Sequence, residues 1–358
     1  MPGKATRVVK LAVAIVLLTA AAANAHGLIT VAADSDGGVA ATGGYNRALI
    51  VFDTADWSVT QRIWIGAWVR HVAFSSDDSR CLVLDDARRV HVFDTADWNK
   101  LKTINNVNAM AVASNAGIAV TAGGPEDASG TVLHVWNLPD CTLRTTIAPP
   151  EESRREIAQV AVSEDGATGY ARTAGFESDA QTDTVFDDSY EGFAGQQISK
   201  LRSDGKVSAI MTFDIEAGEV VDEVICFDYP SVTQLRSDRL LVFDDTVVTA
   251  SYGGYLGVLD TSRGTYRPVA HNRLAYGSGV SGHGELYIGS LRDFTVLSPD
   301  GAELLEQPVR IPELPGWAEY LCWFAPLGDD RVVAATTAYR LVVIDRNSRE
   351  VLDLVHCY

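Results

Sequence analysis

Few side chains in this chain have the type and spacing to do chemistry, and they gather in two places. His26 follows Ala23-Asn24-Ala25, and cleavage there would make it an amino terminus whose amine and imidazole together chelate copper. Such a brace also needs a second histidine within reach. The other place is residues 173–206, where Glu177, Asp179, Asp183, Asp187, Asp188 and Glu191 cluster. Asp183, Asp187 and Asp188 are oxygen donors of the kind calcium takes, although the D-x-[DN]-x-[DN]-G loop spacing is absent. Phe176, Phe186, Tyr190 and Phe193 lie between these acids. A solvated loop is the plain reading of such a stretch; a partner-binding arm comes next, favoured over pure disorder by the aromatics, and calcium last.

Catalytic sets are thin. The chain has no G-x-S-x-G elbow and no glycine-rich phosphate cradle, and Ser281 near His283 has no positioned acid. His71, His91 and His134 sit in strand-like runs and read as satisfied strand histidines. Asp34-Ser35-Asp36-Gly37 looks like a piece of a calcium loop but stands where a hairpin turn is needed. No catalytic or cofactor-binding residue is assigned, and the only cofactors entertained are calcium and copper.

The ends and the composition bound the class. Lys4, Arg7 and Lys10 precede the apolar run Leu11 to Ala23, which is too short to span a bilayer and ends in the A-x-A site. Residues 1–25 therefore read as a cleaved signal peptide, and residues 26–358 as one exported domain, periplasmic or secreted, with no membrane insertion. The net charge is −18, and losing three basic leader residues leaves the rest more acidic still. That balance excludes nucleic acid, whose phosphates demand basic patches. The five cysteines, Cys81, Cys141, Cys226, Cys322 and Cys357, form no zinc or haem spacing. Cys322 and Cys357 are the pair closest in sequence to a plausible disulfide.

The elements that must position these residues are repeats. Val51-Phe52-Asp53-Thr54-Ala55-Asp56-Trp57 returns as Val92-Phe93-Asp94-Thr95-Ala96-Asp97-Trp98. Weaker copies of the apolar pair ending in a small polar residue follow at Trp136-Asn137, Phe213-Asp214, Leu259-Asp260, Leu297-Ser298 and Ile344-Asp345. Around each, short β-rich runs alternate with Asp, Ser and Gly turns. The reading is an all-β fold, a seven-bladed β-propeller of four-stranded antiparallel blades. Trp136 and Phe213 are 77 residues apart, against 38 to 47 elsewhere, so blade 4 carries an insertion at about 173–206. Strand A residues Arg70, His71, Tyr276 and Tyr320 would lie nearest the axis.

On these residues, with Phe74-Ser75-Ser76-Asp77-Asp78, Val162-Ser163-Glu164-Asp165-Gly166 and Val135-Trp136-Asn137, the chain resembles divergent WD-repeat and YVTN-type β-propellers. No Trp-Asp dipeptide occurs in it. The resemblance implies a ring with a central channel and, most often, protein interaction. The expectation is a non-enzymatic exported scaffold that docks a protein partner through the blade 4 insertion. The alternative is a channel-mouth enzyme, lactonase-like or quinoprotein-like.

Overall fold

The computed structural model describes residues 27–138, 140–177, 184–185, 199, 206–227, 239–243, 246–250, 255–270, 277–280, 284–299, 302, 304–305, 307–314 and 319–357. Residues 1–26 fall outside them. The fold is all-β. Leu28–Ala33 (β1), Val39–Gly44 (β2), Ala48–Asp53 (β3) and Ser58–Trp64 (β4) form a first antiparallel sheet in chain order. Val69–Phe74 (β5), Arg80–Asp85 (β6), Arg89–Asp94 (β7) and Lys100–Asn105 (β8) form the second. Ala109–Val112 (β9), Ile118–Ala122 (β10), Leu133–Asn137 (β11) and Thr142–Ile147 (β12) form the third.

The fourth sheet contains Ile157–Val162 (β13), Thr168–Thr173 (β14), the two-residue Phe176–Glu177 (β15), Lys206–Asp214 (β16) and Glu219–Cys226 (β17). Here β14 pairs with β16, and β15 extends that edge by pairing with Lys206 and Val207. Arg239–Phe243 (β18), Thr246–Ala250 (β19), Tyr255–Asp260 (β20) and Thr265–Ala270 (β21) form the fifth. The remaining strands are Gly277–Val280 (β22), Leu286–Gly289 (β23), Asp293–Leu297 (β24), Val309–Arg310 (β25), Leu321–Leu327 (β26), Arg331–Thr336 (β27), Arg340–Asp345 (β28) and Val351–His356 (β29). These eight belong to one sheet rather than two, because β22 meets β26 in a parallel bridge at Ser278 and Trp323. Glycine permits that approach: a Cβ on Gly277 or Gly279 would stand 2.2 Å from the Cys322 carbonyl carbon or the Phe324 oxygen.

The repeated heptapeptide is a hairpin device. Asp53 and Asp94 accept the backbone N–H of Ala55 and Ala96 at 2.9 and 3.0 Å, and Asp56 and Asp97 accept those of Ser58 and Asn99 at 2.9 Å. Thr54 and Thr95 donate at 2.6 Å to the carbonyls of Gly37 and Asp78 in the neighbouring turn. Trp57 and Trp98 both take the left-handed conformation, φ 58°, that closes the turn. Their rings then fold back on Phe52 and Phe74, with centroids 6.2 and 6.4 Å apart. Asp34-Ser35-Asp36-Gly37 is likewise a turn, Asp34 accepting Val39 N–H and Asp36 accepting Gly38 N–H.

Buried apolar residues do not gather at one centre; they lie between neighbouring sheets. Val51, Val72 and Val83 join the first sheet to the second, and Leu84, Val92 and Met110 join the second to the third. Leu28, Ile50 and Phe52 pack with Leu327, Val343 and Val355, so the two ends of the chain share a core. The inner strands follow one another in contact, β1 on β5, then β9, β13, β18, β22 and β26, and β26 again touches β1. A closed circuit of four-stranded units is compatible with a β-propeller. It also explains why β3 is buried on both faces while β4 is largely exposed.

The disulfide expectation is corrected: all five cysteines are buried free thiols. Cys322 belongs to β26 and Cys357 follows β29, with two strands between. Three strand spacings amount to about 14 Å, far beyond disulfide reach.

Candidate functional site

The register of the inner strands builds the site. In the second sheet Val69 pairs with Asp85 but His71 with Leu84, which leaves Arg70 as the extra residue of a β-bulge. The same slip occurs at Ile29, Ala158 and Cys322 near the starts of β1, β13 and β26. A bulge turns its residue out of the strict alternation. Arg70 and Ala158 thereby face an axial cavity of about 650 Å³, walled by the inner strands.

Ala32, Val72, Met110, Ala111 and Leu241 make much of the wall aliphatic. Most of the charged groups lie where the inner strands begin, with Ser114 and Glu164 at the opposite end. Arg70 and His71 open β5, Asp86 and Arg88 lie in the turn after β6, and Glu156 immediately precedes β13. The Glu156 carboxylate is engaged by Asn108 Nδ2 at 3.2 Å, and Arg88 donates to the Ala128 carbonyl at 2.7 Å. His71 lies against Trp323 at 4.9 Å between ring centroids.

Arg70 differs from its neighbours. Among the described residues it makes no hydrogen bond or ion pair. Burial lowers its pKa, with Arg88 adding to the effect and Asp86 opposing it, yet a guanidinium stays charged at any ordinary pH. Gln159, also on the wall and only 6% exposed, is oriented by Arg172. Arg172 is wholly buried and donates to Ser208 Oγ at 3.1 Å and to Gln159 Oε1 at 3.4 Å. That contact leaves Gln159 Nε2 as a buried donor with no acceptor among the described residues.

His91 and His134 are held within the sheets. His91 Nε2 is 2.9 Å from Asp85 Oδ2, and Arg89 Nε donates to the same oxygen at 2.8 Å. Burial raises the pKa of Asp85, but the His91 and Arg89 hydrogen bonds bring it below the usual carboxylate value. His134 stacks on Trp136 in the core.

The sequence-predicted residues distribute unevenly. Arg70 and His71 line the cavity. Tyr320 instead precedes β26, bridged to Leu291, and Tyr276 lies outside the described residues. Phe176 is half-buried in β15 with the guanidinium of Arg155, in the link before β13, 4.1 Å from its ring centroid. Phe186, Tyr190, Phe193, Asp183, Asp187, Asp188 and His26 lie outside the described residues. Among the described residues no group of three or more His, Cys, Asp and Glu could hold a metal ion, and no helix is long and apolar enough to cross a membrane. Sequence reasoning did not find Asp86, Arg88, Glu156 or Gln159, whose convergence depends on which strands begin at the same end. No protein-family model matches the chain, and comparison with curated proteins finds no significant relative.

Proposed function

We propose that the protein is an exported, non-enzymatic, seven-bladed β-propeller of the divergent WD-repeat or YVTN kind, serving as a scaffold for a protein partner. Support for the seven blades comes from four-stranded units whose inner strands follow one another in a closed circuit, with apolar cores between neighbours. The observation that carries the scaffold reading is how residues 174–205 meet the ring. β15 is zipped onto β16, and farther along Val185 N–H donates to the Tyr266 carbonyl at 2.8 Å while Thr184 Oγ1 accepts Phe227 N–H at 2.8 Å. Thr184 and Val185 are thus pinned beside the outer strand of the fifth sheet, with Val185 55% exposed. A long segment anchored at two points presents side chains at lower ordering cost than a free loop. A photo-crosslinking residue at position 185 should yield one dominant adduct in the envelope fraction, and the same probe at position 144 on β12 should not. Identical adducts from both positions would overturn the scaffold reading.

A channel-mouth enzyme is the second reading, favoured by Arg70, His71 and Glu156 converging on the axial cavity. Hydrolysis of a lactone panel that is lost in a His71→Ala variant would support it.

A further inference from the structure

The axial cavity combines features that the scaffold reading does not use. Its wall carries many aliphatic side chains, most of its charged groups lie at one end with Ser114 and Glu164 at the other, and one of the charged groups is a guanidinium without a partner among the described residues. Arg70 is half-buried at the cavity wall, and an anion seated against it would gain a charge-assisted partner in partly desolvated surroundings. We propose that this cavity binds a small monocarboxylic acid with an apolar body, its carboxylate on Arg70 and its body along the wall formed by Val72, Met110, Ala111 and Leu241.

Three observations narrow the ligand. First, the β-bulge at Arg70 aims a planar two-pronged donor into the cavity, a geometry that a carboxylate matches bidentately. Second, Asp86 and Glu156 balance Arg70 and Arg88 at that end and Glu164 adds a further carboxylate to the lining, so a dianion such as a phosphate monoester is disfavoured and an anion of one charge with an apolar body is the better match to Arg70. Third, Gln159 adds a neutral amide side chain to the wall, held in place by Arg172. A pocket that is mostly apolar with a few convergent polar groups, of about 650 Å³, has the size and character of small-molecule sites.

The test is calorimetric titration of the purified protein with decanoate, with 1-decanol as the same body without charge and inorganic phosphate as charge without body. Saturable 1:1 binding of decanoate is expected, with decanol at least tenfold weaker and phosphate not measurable. Arg70→Met should weaken decanoate by about tenfold or more, the scale of a lost charge-assisted pair, and leave decanol unchanged. Arg70→Lys should recover part of the loss. A matched thermal unfolding midpoint for each variant shows that the fold is intact. Ala111→Phe, which fills the wall without touching the guanidinium, should weaken decanoate and decanol alike. Absence of saturable decanoate binding, equal affinity for decanol, or an Arg70→Met variant that binds decanoate like the parent would overturn the proposal. Because only purified protein and the probe are present, failure here leaves the crosslinking result at position 185 unaffected, and the reverse also holds.

Discussion

At the residue scale, the repeated Trp57 and Trp98 are unusual because a bulky residue occupies a left-handed turn position that glycine fills at Gly218 and Gly264. Backbone strain and ring packing oppose one another there. Trp57→Ala and Trp57→Gly lose the same ring, so the difference between them isolates the backbone. The glycine variant should be the more stable of the two by about 1 kcal/mol in urea denaturation; an alanine variant equal or superior to it would show that the φ of 58° carries no cost. His134 offers a pH test. Burial holds its imidazole below the ordinary value of 6.5, against the opposing pull of Asp127. The unfolded chain takes up the proton near 6.5 and the folded chain only at lower pH, so stability is full above that value and declines as pH falls from it. His134→Gln should flatten the slope between pH 7 and 5 by up to about 1.4 kcal/mol per pH unit. Parallel slopes in the two proteins would refute this.

At the element scale, the bulges decide what faces outward. The outer hairpins of the first, second, third, fourth and last units all slip by one residue next to the Asp-capped turn. The unpaired residues include Leu101, Val221 and Leu352, which are 53, 54 and 53% exposed. Their exposure follows from register, and they need no docking partner to explain it. The equivalent residue in the third unit is Arg144. Leu101→Arg should therefore change stability by less than about 0.5 kcal/mol. Thr54→Val, by contrast, strands the Gly37 carbonyl that Thr54 meets at 2.6 Å and should cost about 1–3 kcal/mol. Similar losses from the two substitutions would contradict this division between register and hydrogen bonding. The hairpins were legible in the sequence because Asp, Thr and turn spacing act locally: the β-rich runs from Arg70 to Phe74, Cys81 to Leu84 and Val90 to Asp94 lie within β5, β6 and β7. The bulges were not legible, since a slip of one residue is set by the neighbouring sheet and leaves no local mark. The candidate site inherits that blindness. Arg70 and His71 could be placed near an axis by counting strands, whereas Gln159 and Arg88 join them only through the pairing register.

At the scale of the whole molecule, the closing contact between the ends resembles every other contact between neighbouring sheets. Leu28, Ile50 and Phe52 pack on Leu327, Val343 and Val355 much as Ala41, Leu49 and Val51 pack on Val72, Val83 and Phe93. Repetition of the heptapeptide implied repeated units but could not show that the first and last would share a core, because that depends on the accumulated rotation of all the units between them. If closure is one interface among equals, the position of the chain termini is incidental. The outer strand of the first sheet reaches the next inner strand by a short link: β4 ends at Trp64 and β5 starts at Val69. A link of similar span should join the end of β29 to Leu28. A circular permutant that starts at Val69 and carries residues 27–65 after residue 357 through a short Gly/Ser linker should then fold. Its unfolding should stay a single transition, with stability within about 2 kcal/mol of the parent, since loop-closure entropy varies only slowly with loop length. The Leu28 and Phe52 amides should keep the hydrogen-exchange protection of the parent. A permutant in which those amides exchange freely while β5 to β29 remain protected would show that the end-to-end core depends on the native connectivity and is weaker than the interfaces it resembles.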